Sequence, residues 1–272
     1  MTGASGAGWR ALLRAPGPEL AACELTHLER VPIDIERARE QHAALASTLE
    51  GLGVQVTVLP PLEGHGDACF VEDGLRVHAE AAILTRPGAL SRRAEVEALE
   101  PHAPRDRARV RIEGERATLD GGDLVLLDDL VLCGQSTRTN HAGLKELAHA
   151  LLPHGLRVKA APVRGALHLQ TAATRVGPET LLVQPEWVDL GHAPDCEVLT
   201  VDGREPFGAN ALQVGEHLLV PAHHPRAIEL LQARGYAVVP VEVDEFAKAE
   251  GCITCLVECW QERPPSSSDS HP

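Results

Sequence analysis

Short apolar runs cut off by proline or glycine, alternating with stretches of helical period, constrain this chain more than any other feature. Val54-Gln55-Val56-Thr57-Val58-Leu59 alternates with period two and stops at Pro60-Pro61. Residues 81–85 form a compact apolar run closed by Pro87-Gly88. Residues 124–127 and 130–132 flank Asp128-Asp129, which predicts a hairpin. Residues 180–184, 218–221 and 236–243 are further strand candidates. Between them, Ile35, Ala38, His42, Leu45, Leu49 and Leu52 recur at three- and four-residue spacings, predicting a helix over 33–52 that Gly53 stops. A second helix is predicted over 91–99, opening on Ser91 as a cap, and a third over 139–152 with Leu144, Leu147, Ala148 and Leu151 on one face. A fourth, over 225–234, has proline near its start and Gly235 just past its end. This alternation predicts an α/β or α+β class with mixed sheets.

Composition narrows the partners. Lysine plus arginine number 25 and aspartate plus glutamate 39, a net charge of −14. Such a field repels phosphate, so nucleic acid and anionic membranes are expected not to bind, and a small cation is favoured. No apolar run approaches the roughly eighteen residues of a membrane span, and the N-terminus lacks a basic segment followed by an apolar one. Seven irregularly spaced cysteines point to a reducing cytoplasm and not to a disulfide framework. Aromatic residues are only 3% of the chain, so Ala, Val and Leu must build the core. No composition shift marks a linker before about Arg263, which predicts a single domain over 1–262 and a disordered Pro/Ser-rich tail over 263–272.

Several residues could carry chemistry. Cys252 and Cys255 have the spacing of half a zinc site, but no second half exists, and buried thiols fit the same pattern. A thiol nucleophile needs an acid–base or cationic partner. His168, set among Ala166, Leu167 and Leu169, is either a core histidine or a general acid–base. Asp67-Ala68-Cys69-Phe70-Val71-Glu72-Asp73 and Asp120-Gly121-Gly122-Asp123 fit turns, and fit equally carboxylates that pair with a guanidinium. Arg92 and Arg138 are either solvated or carboxylate-binding.

Taken in order, these blocks carry a resemblance. Asp67-x-x-Phe70-Val71-Glu72-Asp73, Leu84-Thr85-Arg86-Pro87-Gly88-Ala89-x-Ser91-Arg92-Arg93, Gly121-Gly122-Asp123, Arg138-Thr139-Asn140, Leu167-His168-Leu169, Ala209-Asn210 and Gly251-x-x-Thr254-Cys255 run from about Trp9 to Val257. In this the chain resembles the dimethylarginine dimethylaminohydrolases, of the guanidino-group-modifying or pentein superfamily that also holds arginine deiminase. The match is poor over 188–206, and Glu250 stands where some relatives carry aspartate.

The resemblance implies a pentein-type five-bladed α/β propeller of pseudo-symmetric ββαβ units, hydrolysing Nω-methylated arginines to citrulline and a methylamine without metal or organic cofactor. By position, Cys255 is then the nucleophile, His168 the general acid and Asp120 its partner. Asp73, with Glu72 beside it, would hold the guanidinium. Arg92 and Arg138 would bind the substrate carboxylate and Asp67 its ammonium. Leu25 would lie in a lid, and the backbone at Ala249 would add a contact. Cys252 is left as packing. A homodimer is compatible with the resemblance, though no sequence feature specifies it. Two alternatives keep the pocket: an arginine deiminase-like hydrolase of an unmethylated guanidino compound, and an inactive binding protein for cationic amino acids.

Overall fold

In the computed structural model, which describes residues 8–191 and 196–263, the strands make five sheets of three. Strands β1 (Trp9–Arg14) and β2 (Gln55–Leu59) run parallel, joined by helix α1 (Ile35–Gly51). In the next sheet β3 (Leu75–Val77) is antiparallel to β4 (Ala81–Leu84), α2 (Arg93–Leu99) crosses over, and β5 (Ala108–Arg111) returns parallel to β4. The same order repeats in β6 (Leu124–Leu126), β7 (Leu130–Gln135), α3 (His141–Leu151) and β8 (Arg157–Pro162). A single turn, α4 (Leu169–Ala172), leads into β9 (Ala173–Gly177), β10 (Thr180–Val183) and β11 (Glu197–Thr200). Then come β12 (Leu212–Val214), β13 (His217–Pro221), α5 (Pro225–Ala233) and β14 (Ala237–Val241). After α6 (Asp244–Ala247) and α7 (Ile253–Leu256), β15 (Glu258–Gln261) pairs antiparallel with β1 and gives the first sheet its third strand. The ring is thereby closed, and the fold is the five-bladed α/β propeller expected.

The parallel strand in each sheet needs a crossover, because only antiparallel neighbours can be joined by a tight turn. Four sheets use a helix. Among the described residues the fourth has none between β10 and β11. Helix α1 begins at the Asp34 cap, whose carboxylate accepts from Arg37 N, and ends at Gly53 with φ +85°. It buries Ala38, His42, Leu45 and Leu49. Asp128-Asp129 does make the β6–β7 turn. The cap expected from Ser91 is not made. A tight turn over Leu90–Arg92 precedes α2, so Ser91 lies inside the helical path, and its hydroxyl donates to Glu24 Oε1 at 2.7 Å. The tail expected over 263–272 lies, apart from Arg263, outside the described residues.

Apolar packing lies between neighbouring blades and under the helices. Leu12, Leu59, Leu75, Leu84, Val96 and Leu99 fill one such layer, and Leu182, Leu199, Leu218, Val220, Ala227 and Leu231 another. Leucine, valine and alanine do dominate, and each fully buried leucine contributes roughly 2 kcal/mol. Among the described residues no helix is long and apolar enough to cross a membrane.

A short helical turn precedes one outer strand of every sheet: Val71–Asp73 before β3, Gly121–Asp123 before β6, α4 before β9, Pro206–Ala209 before β12 and α7 before β15. These turns touch one another at the centre of the ring. They bring residues far apart in the chain into one place.

Candidate active site

Cys255 sits on α7, half-buried, in a pocket it shares with Asp67, Asp73, Arg92, Arg138 and His168. Buried Thr254 anchors the turn. Its hydroxyl donates to Glu72 Oε2 at 3.1 Å and accepts from Asn210 Nδ2 at 2.9 Å, and its N–H donates to Asn210 Oδ1 at 3.3 Å. Burial pushes the Cys255 thiol up to about 12, and the charge of Asp73 adds to the effect. The resting thiol is therefore neutral, and a cation in the pocket is what would favour its thiolate.

His168 caps the start of α4 and is buried. Its Nε2 meets Asp120 Oδ2 at 2.9 Å, and its Nδ1 lies 3.7 Å from Asp73 Oδ1. Burial disfavours the imidazolium, but Asp73, the Asp120 hydrogen bond and Asp123 outweigh it and lift the group to about 9. The ring thus carries a transferable proton at neutral pH. Asp73 is held below the usual carboxylate range: burial opposes ionisation, while His168 and Arg92 favour it. Asp120 also accepts from Gly88 N at 2.8 Å, which fixes the carboxylate.

Asp123 carries no role in the sequence reading, although its block was visible there. It is fully buried, accepts from Leu169 N at 2.9 Å and Ser136 Oγ at 2.6 Å, and so ties the turn behind His168 to the neighbouring blade. Burial raises it to about 6. Gly122 is required for a steric reason. A Cβ there would lie 2.8 Å from both Asp73 Oδ1 and His168 Nδ1. Gly122→Ala is expected to prise those groups apart and lower kcat by roughly 100-fold with a much smaller loss of Tm. Steady-state rates beside thermal melts check this, and an unchanged kcat would show that the spacing does not matter.

The remaining expected site residues divide. Arg138 is half-buried on the pocket rim, its Nη2 donating to Thr26 Oγ1 at 3.0 Å. Asp67 faces the pocket, its Oδ2 accepting from Glu24 N at 3.0 Å, with burial raising its pKa. Ala249 lines the pocket and is buried. Glu24 joins the lining, whereas the neighbouring Leu25 packs on the apolar cluster of the first sheet.

Arg92 is in the pocket but largely committed. It donates to Asp73 Oδ2 at 2.5 Å, twice to Glu95 Oε2, and to the carbonyls of Asp67 and Phe70. Arg92→Ala would therefore strand buried carboxylates, a change that typically costs about 3–5 kcal/mol, so Arg138 is the cleaner probe of carboxylate binding.

Glu72 departs most from its expected place. Its carboxylate accepts from Arg76, Gln170 and Thr254, and it lines a cavity of ≈520 Å³ at the opposite mouth of the ring. It braces the α7 turn that carries Cys255 through Thr254 and lines that second cavity. Asp73, Asp120 and His168 offer donors within 4.8 Å of one another, as a metal would need. These atoms are already engaged with one another, with Arg92 and with backbone N–H groups.

The comparisons with known proteins agree with this arrangement. A family model described as N,N dimethylarginine dimethylhydrolase, eukaryotic, matches residues 27–258. The N(G),N(G)-dimethylarginine dimethylaminohydrolase of Streptomyces coelicolor is 38% identical over 253 residues, covering 91% of this chain and 95% of that one. A dimethylarginine dimethylaminohydrolase solved as its adduct with S-methyl-L-thiocitrulline superposes with a TM-score of 0.87 at 32% identity, over 92% of this chain and 99% of that one. The Pseudomonas aeruginosa enzyme complexed with citrulline gives a TM-score of 0.85 at 30% identity, over 92% and 98%. A shared fold, a match along nearly the whole chain and a thiol–imidazole–carboxylate pocket together mean that this chain belongs to the dimethylarginine dimethylaminohydrolase family.

Proposed function

We propose that this chain hydrolyses Nω-methylated arginines, asymmetric dimethylarginine and monomethylarginine, to citrulline and di- or monomethylamine through a covalent thiouronium on Cys255. The observation that carries the reading is the placing of Cys255 and a protonated His168 on facing turns of one pocket, with Asp120 behind the imidazole.

Asp73 would hold the substrate guanidinium, Asp67 its ammonium, and Arg138 with the free donor of Arg92 its carboxylate. Leu25 would travel with the lid, and the Ala249 backbone would meet the amino-acid end. The bound cation offsets the burial that keeps Cys255 neutral, and the thiol proton leaves to solvent. The thiolate attacks the guanidinium carbon. As the bond to the methylated nitrogen breaks, His168 gives that nitrogen its proton, and neutral methylamine departs. Neutral imidazole then takes a proton from water, and the hydroxide adds to the same carbon. The carbon–sulfur bond breaks and the adduct's O–H proton passes to the departing sulfur, giving citrulline, the neutral Cys255 thiol and a reprotonated His168. Glu72 supports the turn that carries Cys255. No step requires a metal or an organic cofactor.

The reading makes residues 1–262 one catalytic unit acting on a small cationic amino acid. The net charge of −14 supports that substrate over nucleic acid or membrane, and the irregular spacing of the seven cysteines supports a cytoplasmic setting. The same reading allows a homodimer. The test is a substrate panel with citrulline detection. Asymmetric dimethylarginine and monomethylarginine are expected to turn over at least about tenfold faster than arginine in kcat/KM. Faster conversion of free arginine would replace the reading with a deiminase, and binding of both without turnover would replace it with a carrier.

A further inference from the structure

We propose that Glu250 is a positioning residue that latches the segment 23–34 over the pocket, an inference that rests on the reading above. Segment 23–34 is irregular and mostly exposed. It nevertheless presents three consecutive N–H groups to one carboxylate. Glu250 Oε2 accepts from Thr26 N at 3.0 Å, and Oε1 accepts from His27 N at 2.5 Å and Leu28 N at 2.6 Å. Successive backbone N–H groups turned to one side make an anion-binding concavity, and here the anion comes from this chain.

The backbone of Glu250 is the second observation. It is the one non-glycine residue among those described with positive φ, at +57°. The turn after α6 closes with Gly251 N donating to Phe246 O at 3.0 Å and Glu250 N donating to Ala247 O at 3.2 Å. That is a Schellman closure, whose left-handed position is normally glycine. A glutamate there is disfavoured by its own backbone, and an outlier of this kind is kept where its side chain has a use.

Position gives the latch its meaning. Glu250 follows Ala249, precedes Cys255 by one short turn, and lines the reaction pocket. Two other ties on the segment run through side chains assigned to substrate: Asp67 holds Glu24 N, and Arg138 holds Thr26 Oγ1. Substrate would compete for both. Glu250 holds the segment without drawing on either. The pocket beneath it measures ≈20 Å³, so entry of a methylarginine is expected to displace the segment.

Glu250→Gly separates this role from a structural one. It removes the carboxylate while keeping the left-handed backbone without strain. The variant is expected to melt no lower than the parent. In ligand-free protein, amides 26–28 should exchange with deuterium at least about tenfold faster, with little change elsewhere. KM for asymmetric dimethylarginine should rise about tenfold with kcat altered less than about threefold, and Glu250→Gln, which keeps one acceptor oxygen, should fall between. Unchanged exchange at 26–28 in Glu250→Gly overturns the latch, as does fast exchange of those amides in the unaltered protein. The exchange measurement needs no substrate, so a failed latch and a failed substrate assignment give different results.

Discussion

Cys255→Ser is expected to lower turnover of asymmetric dimethylarginine by at least about a thousandfold while substrate affinity changes little. A serine hydroxyl is close in size but far less acidic than a thiol, so the bound guanidinium does not ionise it. The pocket loses its nucleophile and keeps its shape. Isothermal titration with the variant, beside citrulline release, checks both halves. Wild-type protein quenched during turnover should carry the substrate-derived mass on the peptide holding Cys255. The matching control is Cys252→Ser. Its thiol is also pushed up to about 12 by burial, and it lines a neighbouring cavity instead of the reaction pocket. That variant should keep most activity. If Cys255→Ser retains more than about a tenth of the rate, the nucleophile has been misassigned.

Removing the partner of the imidazole should have the next largest effect. Asp120→Asn is expected to lower kcat by about 100- to 1,000-fold and to bring the His168 titration down from about 9. Asp73 remains and keeps part of the shift. The proton-donor form would then be less populated above neutral pH, and the ring would lose its fixed orientation. Titration of the His168 ring followed by NMR checks this: a midpoint near 9 in the parent, lower in the variant. The sign for stability follows from the same shift. A histidine raised from about 6.5 to about 9 contributes stability that is fully present below 6.5 and lost as pH rises through 9, on the order of 3 kcal/mol. Tm should therefore fall across that window, and His168→Gln should flatten the fall. A parent Tm that is level from pH 6.5 to 9 would refute the charged imidazole.

Elements with a clear period or clear punctuation were legible from the residues. Helix α1 shows its face in Ala38, His42, Leu45 and Leu49 and its end in Gly53, and the β6–β7 hairpin is marked by Asp128-Asp129. Most of what escaped is short or buried on both sides, but β8, six residues long and largely open, was missed as well. β3 and β12 have three residues each, too few to show alternation, and β15 reads Glu-Cys-Trp-Gln. The turns α4 and α7 are four residues long, so no helical period marks the segments that carry His168 and Cys255. Nothing local distinguishes those two residues from core packing. Their meeting depends on the ring, and it was the ordered blocks of the resemblance that anticipated it. Glu72 shows the limit of that route. Adjacent acids in a tight turn point to different sides, so Asp73 reaches the reaction pocket while Glu72 supports α7. The latch at Glu250 had no sequence signal, because its strain and its three amide partners exist only once the chain is folded.

The pairing of β1 with β15 carries a consequence for biogenesis. Arg10 and Glu262 pair across a separation of 252 residues, and the same segment, 253–262, brings both β15 and Cys255. During synthesis β1 and β2 keep one edge unpaired until residues 258–261 have emerged, and contacts of such long range form late and slowly. A nascent chain from which residues 253–261 have not yet emerged therefore has an open edge and lacks Cys255 at once.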